Sequence, residues 1–168
     1  MTLPQNLEPG QFRKALGSFP TGVTVVTCRN LASGRPIGIT VSSFNSVSLE
    51  PPLVLWSLSR KSPHIEHFAA GCQHSIHVLA ESQSALAMRF ADRSQDKFAG
   101  IELALNNPNA PPSIAGVSAR FDCRTEAHYD GGDHIIVLAR VTELVTAELR
   151  PLVFWGGRLM AAPLPAQP

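Results

Sequence analysis

Charge is what this 168-residue chain has least of. Asp, Glu, Lys and Arg make up only 16% of it, and 14 basic against 13 acidic residues leave a formal net charge of +1. No run of Lys and Arg exceeds two residues (Arg13-Lys14 and Arg60-Lys61). A phosphate backbone needs a clustered basic face, so the composition argues against nucleic acid as the main partner. Cysteine is scarce as well. Cys28, Cys72 and Cys123 stand far apart, in no C-x-x-C spacing, and read as reduced thiols in or near the core of a cytoplasmic protein. No apolar run approaches the roughly 20 residues of a membrane span. No apolar segment follows a basic one at the start, so no signal peptide is expected. Three nucleotide and acyl-transfer fingerprints are also missing: G-x-G-x-x-G after a strand, G-x-x-x-x-G-K-[ST], and G-x-S-x-G. Dinucleotide chemistry, if any, must use a scaffold other than the doubly wound sheet.

Apolar residues account for 44% of the chain, with 14 prolines and 12 glycines. A single domain over residues 1–168 fits this length, and a globule of this size buries roughly 70% of its unfolded surface. So little charge points to apolar surface covered by a second copy, and a homodimer is the commonest way to cover it.

Residues 1–9 form a polar arm with Pro4 and Pro9. Phe12, Ala15, Leu16 and Phe19 then fall on one helical face over residues 10–19, and Pro20 ends that helix. TGVTVVTCR is rich in β-branched residues and forms a hairpin with IGITVSSF across the turn NLASGRP. LVLWSLS is a buried strand. SPHIEHFAAG is a helix opened by Pro63 and closed by Gly71, and HSIHVLA is a strand. SQSALAMRFA is a helix with Ser82 or Ser84 as N-cap. Residues 92–112 form a long loop with one helical turn around DKFAG. Two long strands, VSARFDCRTEAHY and HIIVLARVTELVTA, are joined by DGGD, and LVFWGGRL adds a final short strand before a loose tail at 161–168. Six or seven strands with two or three peripheral helices give a mainly β fold, an antiparallel, Greek-key-like barrel that is closed or nearly closed.

Two H-x-x-H pairs stand out. His64 and His67 share a helical face and could hold a metal, whereas His74 and His77 point to opposite faces of a strand and cannot chelate together. No carboxylate partner is obvious, so His64 and His67 read by default as solvated helix histidines and no metal site is expected. The stretch ITVSSFNSVSLEPP is the most polar strand and loop in the chain. It is either a serine-rich edge or a row of hydroxyls and amides able to bind a flat heteroaromatic ring or a phosphate. Arg60, Lys61 and Ser62 follow at a strand-to-helix junction, where a helix N-terminus would add partial positive charge and complete an anion site. In GGDHIIVLARV, two glycines make an ordinary turn, but a histidine at the first strand position either serves that turn or leans over a ligand at the sheet rim.

Five blocks in order, FRKALGSFPTGVTVVT, ITVSSFNSVSLEPPLVLWSL, RKSPHIEHF, VLAESQSALAMRFADRSQDKFAG and YDGGDHIIVLARV, resemble the flavin reductase family. These are the small reductases of two-component flavin monooxygenases, and the likeness runs from about residue 10 to residue 158. The resemblance implies an FMN-binding split barrel and hydride transfer from NADH or NADPH to FMN, or to FAD. Reduced flavin would then pass to a partner monooxygenase. It implies flavin contacts at Thr21, Thr40, Val41, Ser42, Ser43 and Ser46, with Arg60, Lys61 and Ser62 on the phosphate side, and Phe90 and Ala91 closing over the ring. It implies that Gly132, Asp133 and His134 lie near the nicotinamide, with His134 the candidate catalytic residue, and that Arg158 meets either the pyrophosphate or a neighbouring carboxylate. Three positions depart from the family pattern: His77 in place of asparagine, Ala139 in place of glycine, and Trp155 in place of tyrosine or phenylalanine. Hydride transfer needs the nicotinamide C4 about 3 to 3.5 Å over the flavin N5, and positioning is the protein's chief contribution. A non-catalytic or electron-transfer FMN protein on the same barrel is the alternative. A pyridoxine-phosphate-type oxidase would call for more arginines around the phosphate.

Overall fold

The computed structural model describes residues 8–92, 96–101, 103–104 and 110–164. Helix α1 (Pro9–Leu16) comes first, followed by β1 (Thr21–Gly22), β2 (Thr24–Arg29), β3 (Pro36–Val41), β4 (Asn45–Ser48), β5 (Leu53–Ser59) and β6 (Gln73–Val78). Helix α2 (Ser84–Ala91) precedes β7 (Leu103–Ala104), β8 (Ser113–Ile114), the long pair β9 (Ala119–Gly131) and β10 (His134–Thr146), β11 (Leu152–Trp155) and β12 (Arg158–Ala161).

Seven strands form one antiparallel sheet in the order β3-β2-β6-β9-β10-β5-β4. Its two edge strands, β3 and β4, are consecutive in the chain, so residues 42–44 cross from one edge to the other. Ser43 Oγ accepts from Ser57 N of β5 at 2.8 Å, and the Phe44 ring lies 5.3 Å from that of Phe121 on β9. The sheet thus curls until its edges meet, giving the antiparallel split barrel expected from the strand pattern and the resemblance.

Burial follows from the alternation of side chains along each strand. On β2, Val26 and Cys28 face the barrel interior with Trp56, Phe68, Ile76 and Val137, while Val25 and the preceding Val23 face outward into a second core with Leu79, Ala87, Phe90, Ile114 and Leu152. Residues 24–28 are buried on both faces and rich in β-branched residues. The second core holds α2 and the outer three-stranded sheet β1-β11-β12 against the barrel. Gly38 on β3 makes this possible, because a Cβ there would sit 2.2 Å from the Phe90 ring.

Several elements differ from the sequence expectation. Helix α1 begins at Pro9, inside the expected arm, and ends at Leu16. It buries no residue, and Phe12 and Leu16 are more than half exposed. The segment opened by Pro63 makes only one 3-10 turn, Ile65–Phe68, ended by Ala69 with an extended ψ of 162, and His67 is drawn onto the Asn30 loop. His67 is therefore no solvated helix histidine. It is buried, and its Nε2 accepts from the Asn30 amide at 3.0 Å, the Asn30 oxygen being taken by Ala32 N and Ser33 N. Neither Ser82 nor Ser84 caps α2. A 3-10 turn, Glu81–Gln83, leads into it, and Gln83 Oε1 accepts from Ala80 N. LVFWGGRL spans most of a hairpin, β11–β12, turning at Gly156 and Gly157 with φ of +57 and +80. Of the loop at 92–112, Lys97–Gly100 make the turn expected around DKFAG, and residues 93–95, 102 and 105–109 lie outside the described residues, as do 1–7 of the arm and 165–168 of the tail.

Candidate active site

A cleft of about 370 Å³ opens between α2, the end of β3 and the β11–β12 hairpin. Thr40 and Ser42 line its floor, Ala87, Met88 and Ala91 one wall, and Phe154, Gly157 and Leu159 the other. Among the described residues, no charged side chain lines it. Such a slot, mostly apolar with a few hydroxyls, fits an uncharged heteroaromatic ring. Beside it Thr21, paired with Phe154, keeps a buried hydroxyl without a hydrogen-bond partner among the described residues. Buried hydroxyls are rarely left unpaired, so this one is available to a bound group. Arg158, adjoining Gly157 and Leu159 of the cleft, is exposed.

The residues expected at the flavin divide into those at the cleft and those that build it. Thr40, Ser42 and Ala91 are on its walls. The Thr40 hydroxyl, however, donates to Ala87 O of α2 at 2.7 Å, so its proton is committed and only its lone pairs remain for a ligand. Val41 is buried in the barrel core, and its carbonyl accepts from Thr24 Oγ1. Phe90 does not close over the ring region: it is fully buried, edge-on to Phe98 at 4.9 Å and in contact with Gly38. Its aromatic bulk is used to seat α2, which forms the wall. Lys97 supports the same wall, donating to Phe90 O at 2.9 Å and Gly38 O at 3.2 Å. Burial lowers the pKa of that ammonium. Sequence reasoning passed over Lys97, whose partners lie on a helix end and a strand that no local pattern connects to it.

A second group lies where β5 ends. Ser43 bonds Ser57 N on β5, and two residues further Ser59 pairs with His134, the first residue of β10. Ser46 is exposed on β4, its N–H held by Asn45 Oδ1. His134 Nδ1 lies 2.7 Å from Asp133 Oδ1. That hydrogen bond, helped by the charge of Lys61 among smaller effects, holds the Asp133 carboxyl below its usual range. With Nδ1–H donated to Asp133, a neutral His134 ring presents Nε2 as an acceptor.

The anion site expected from Arg60, Lys61 and Ser62 meets a different charge balance. Arg60 NH2 donates to Asp130 Oδ1 at 2.6 Å and Nε to Gly132 O at 2.8 Å, and the Arg60 bond is the main cause that pulls the Asp130 carboxyl down. The two cations therefore face two carboxylates, Asp130 and Asp133. No α-helix starts at Ser62 to add a dipole, since its Oγ accepts only from His64 N and the following turn is 3-10. Lys61 remains as an exposed ammonium.

Of the departures from the family pattern, His77 is fully buried. Val25 O accepts from its Nδ1 at 3.1 Å and Ile114 N donates to its Nε2 at 3.1 Å, fastening β8 to the barrel. His74 lies inside, taking the Trp56 indole N–H on Nε2 at 3.3 Å, with Nδ1 3.3 Å from Thr125 Oγ1. Burial pushes both histidines down to about 4. Ala139 is buried in the barrel core, and Trp155 is half exposed. No cluster of three or more His, Cys, Asp or Glu able to hold a metal occurs among the described residues.

Residues 16–163 match the family model described as a flavin reductase like domain. The chain is 44% identical over 146 residues to the FMN reductase (NADH) SmoA of Agrobacterium fabrum, covering 87% of this chain and 82% of that protein. It is 41% identical over 156 residues to HsaB of Rhodococcus jostii, the reductase subunit of a flavin-dependent monooxygenase, covering 90% and 77%. Among solved structures, the NADH:FAD oxidoreductase SgcE6 of Streptomyces globisporus, in complex with NAD and FAD fragments, superposes with a TM-score of 0.86 at 35% identity, covering 98% of this chain and 100% of that one. The barrel, the cleft on its outer wall and the glycine turn bearing His134 are thus those of a chain that belongs to the flavin reductase family.

Proposed function

We propose that this protein transfers hydride from NADH or NADPH to FMN or FAD, and that the reduced flavin leaves to serve a monooxygenase. The observation that carries the reading is the cleft itself, which brings Thr40, Ser42 and Ala91 together on neutral walls. Bound there, the flavin ring supplies the hydride-accepting centre. The chain's own residues bind and orient. Thr40 and Ser42 offer neutral hydrogen-bonding groups, the Thr21 hydroxyl stands unpartnered nearby, and Phe154 presents an aromatic face. Lys61 and Ser62 serve the flavin phosphate, with Arg158 at the nucleotide end of the cleft. His134, its ring fixed by Asp133, accepts from the nicotinamide amide through Nε2 and sets the approach of that ring. No acid or base is required of the protein for the hydride step itself. The neutral lining among the described residues supports a flavin held loosely enough to be exchanged.

The protein acts in the cytoplasm as a homodimer. Supporting the dimer, α1 leaves Phe12, Leu16 and the following Phe19 exposed at 52%, 56% and 71%, and Gly17 O ties its end to Gly156 N of the cleft hairpin. A second copy on this face would cover the mouth of the cleft. The catalytic reading is tested by steady-state NADH oxidation with and without added FMN, using protein dialysed free of flavin. Oxidation only on adding flavin supports a reductase, and NADH oxidation that stays at background in both identifies a non-catalytic flavin-binding protein.

A further inference from the structure

We infer that Arg60 is a positioning residue for His134, clamping the glycine turn that presents the histidine. Three bonds from this one residue converge on the turn. Its NH2 group donates to Asp130 Oδ1 at 2.6 Å, its Nε donates to Gly132 O at 2.8 Å, and its backbone N–H donates to Asp133 O at 3.0 Å. Asp130 is itself folded back onto the turn, since its Oδ1 also accepts from Gly132 N at 3.2 Å. The clamp therefore holds Asp130, Gly132 and Asp133, and His134 is the next residue.

The turn needs such a clamp. Gly131 and Gly132 carry no side chain to pack, and Gly132 adopts φ +75, so left alone this segment would sample many conformations. His134 is 44% exposed on its side chain, and among the described residues its side-chain bond is to Asp133 of the same turn. Its backbone is held by pairing with Ser59 and Gly131, and its ring direction depends on Asp133 of the turn. An isolated surface ion pair contributes little stability, and Arg60 and Asp130 are 47% and 82% exposed. The value of this one lies in orientation, because a reacting ring misplaced by a fraction of its contact distance loses rate steeply.

The inference rests on the reading that His134 borders the nicotinamide, and it moves Arg60 away from the flavin phosphate. The experiment is a double-mutant cycle of Arg60→Ala and His134→Ala, read as kcat and KM for NADH, with binding of FMN and of riboflavin measured alongside. Arg60→Ala is expected to lower kcat/KM for NADH about 3- to 10-fold, with FMN and riboflavin affinities unchanged relative to each other. In the His134→Ala background the same substitution is expected to add less than about 1.5-fold, because the group being positioned is gone. Arg60→Lys, which can reach only one of the two acceptors, is expected to recover part of the loss. Independent, multiplying effects would overturn the clamp while leaving the reading of His134 intact. Selective loss of FMN over riboflavin would return Arg60 to the phosphate. If His134→Ala alone leaves NADH kinetics unchanged, the reading of His134 fails and takes the clamp with it.

Discussion

Thr40 on β3 and Ala87 on α2 are joined by a 2.7 Å hydrogen bond that fixes the floor of the cleft to its wall. The bond links two residues 47 positions apart, and both line the same slot. Thr40→Val keeps the shape and removes the donor, so the bond between β3 and α2 is lost. A loss of about 1 kcal/mol is expected, seen as a Tm lower by roughly 2–4 °C in a domain of this size. Thr40→Ser is expected to retain the bond and the melting temperature. Equal losses in the two variants would show that the hydroxyl does not carry the contact.

Gly38→Ala tests the same wall from the other side. The added methyl would meet the Phe90 ring at 2.2 Å, and the rigid ring is packed edge-on against Phe98. Overpacking of this kind costs about 1–3 kcal/mol. Weaker FMN binding is expected with the lower stability, since α2 can relieve the clash only by moving away from the cleft. Denaturant unfolding and flavin titration check the two together.

Lys61→Ala is expected to weaken FMN much more than riboflavin, because only FMN carries the phosphate. Equal losses for the two flavins would contradict the placement of that anion. Asp133 lies close enough to compete for the same ammonium, so Asp133→Asn is expected to shift the balance the other way.

Acid should destabilise the fold over a defined window. His74 and His77 fall from an ordinary value of 6.5 to about 4 in the folded protein. Both are neutral in folded and unfolded chains above pH 6.5, so stability there is unaffected by them. Between pH 6.5 and about 4 the unfolded chain takes up protons that the folded chain refuses, so stability falls, and below about 4 the loss levels off. The full difference is on the order of 3 kcal/mol for each histidine, an upper bound. Urea midpoints measured from pH 7 to 4 should fall, and His77→Asn, which cannot take up a proton, should flatten part of that fall.

Light scattering at micromolar concentration checks the dimer, which should weigh about twice 18.1 kDa. A monomer that still binds flavin would contradict the covered-cleft arrangement.

Most of the barrel was legible because its signals are local. DGGD between two long runs marks the β9–β10 hairpin, and TGVTVVTCR, rich in β-branched residues, reads as a strand. The short elements were not legible. Pro63 and Gly71 bracket what looks like a helix, but His67 is drawn into the Asn30 loop and only one 3-10 turn remains. Of the residues expected at the flavin, Thr40, Ser42 and Ala91 line one cleft, while Phe90 is core, because the glycine that receives it lies 52 positions earlier on another element. Arg60 and Lys61 were read as cations, without the carboxylates that face them. Asp130 is 70 residues from Arg60, and only the folding of the β9–β10 hairpin onto β5 brings the two together.

The central claim is that flavin is turned over and released. It is tested most directly by anaerobic mixing of dialysed protein with excess NADH and excess FMN, following the visible absorbance of oxidised flavin. The account predicts that many equivalents of FMN are bleached per chain, at the same molar rate as NADH is consumed, with kcat/KM for NADH lowered roughly 2- to 12-fold in His134→Ala. Bleaching that stops at one equivalent per chain, or does not begin, would contradict it.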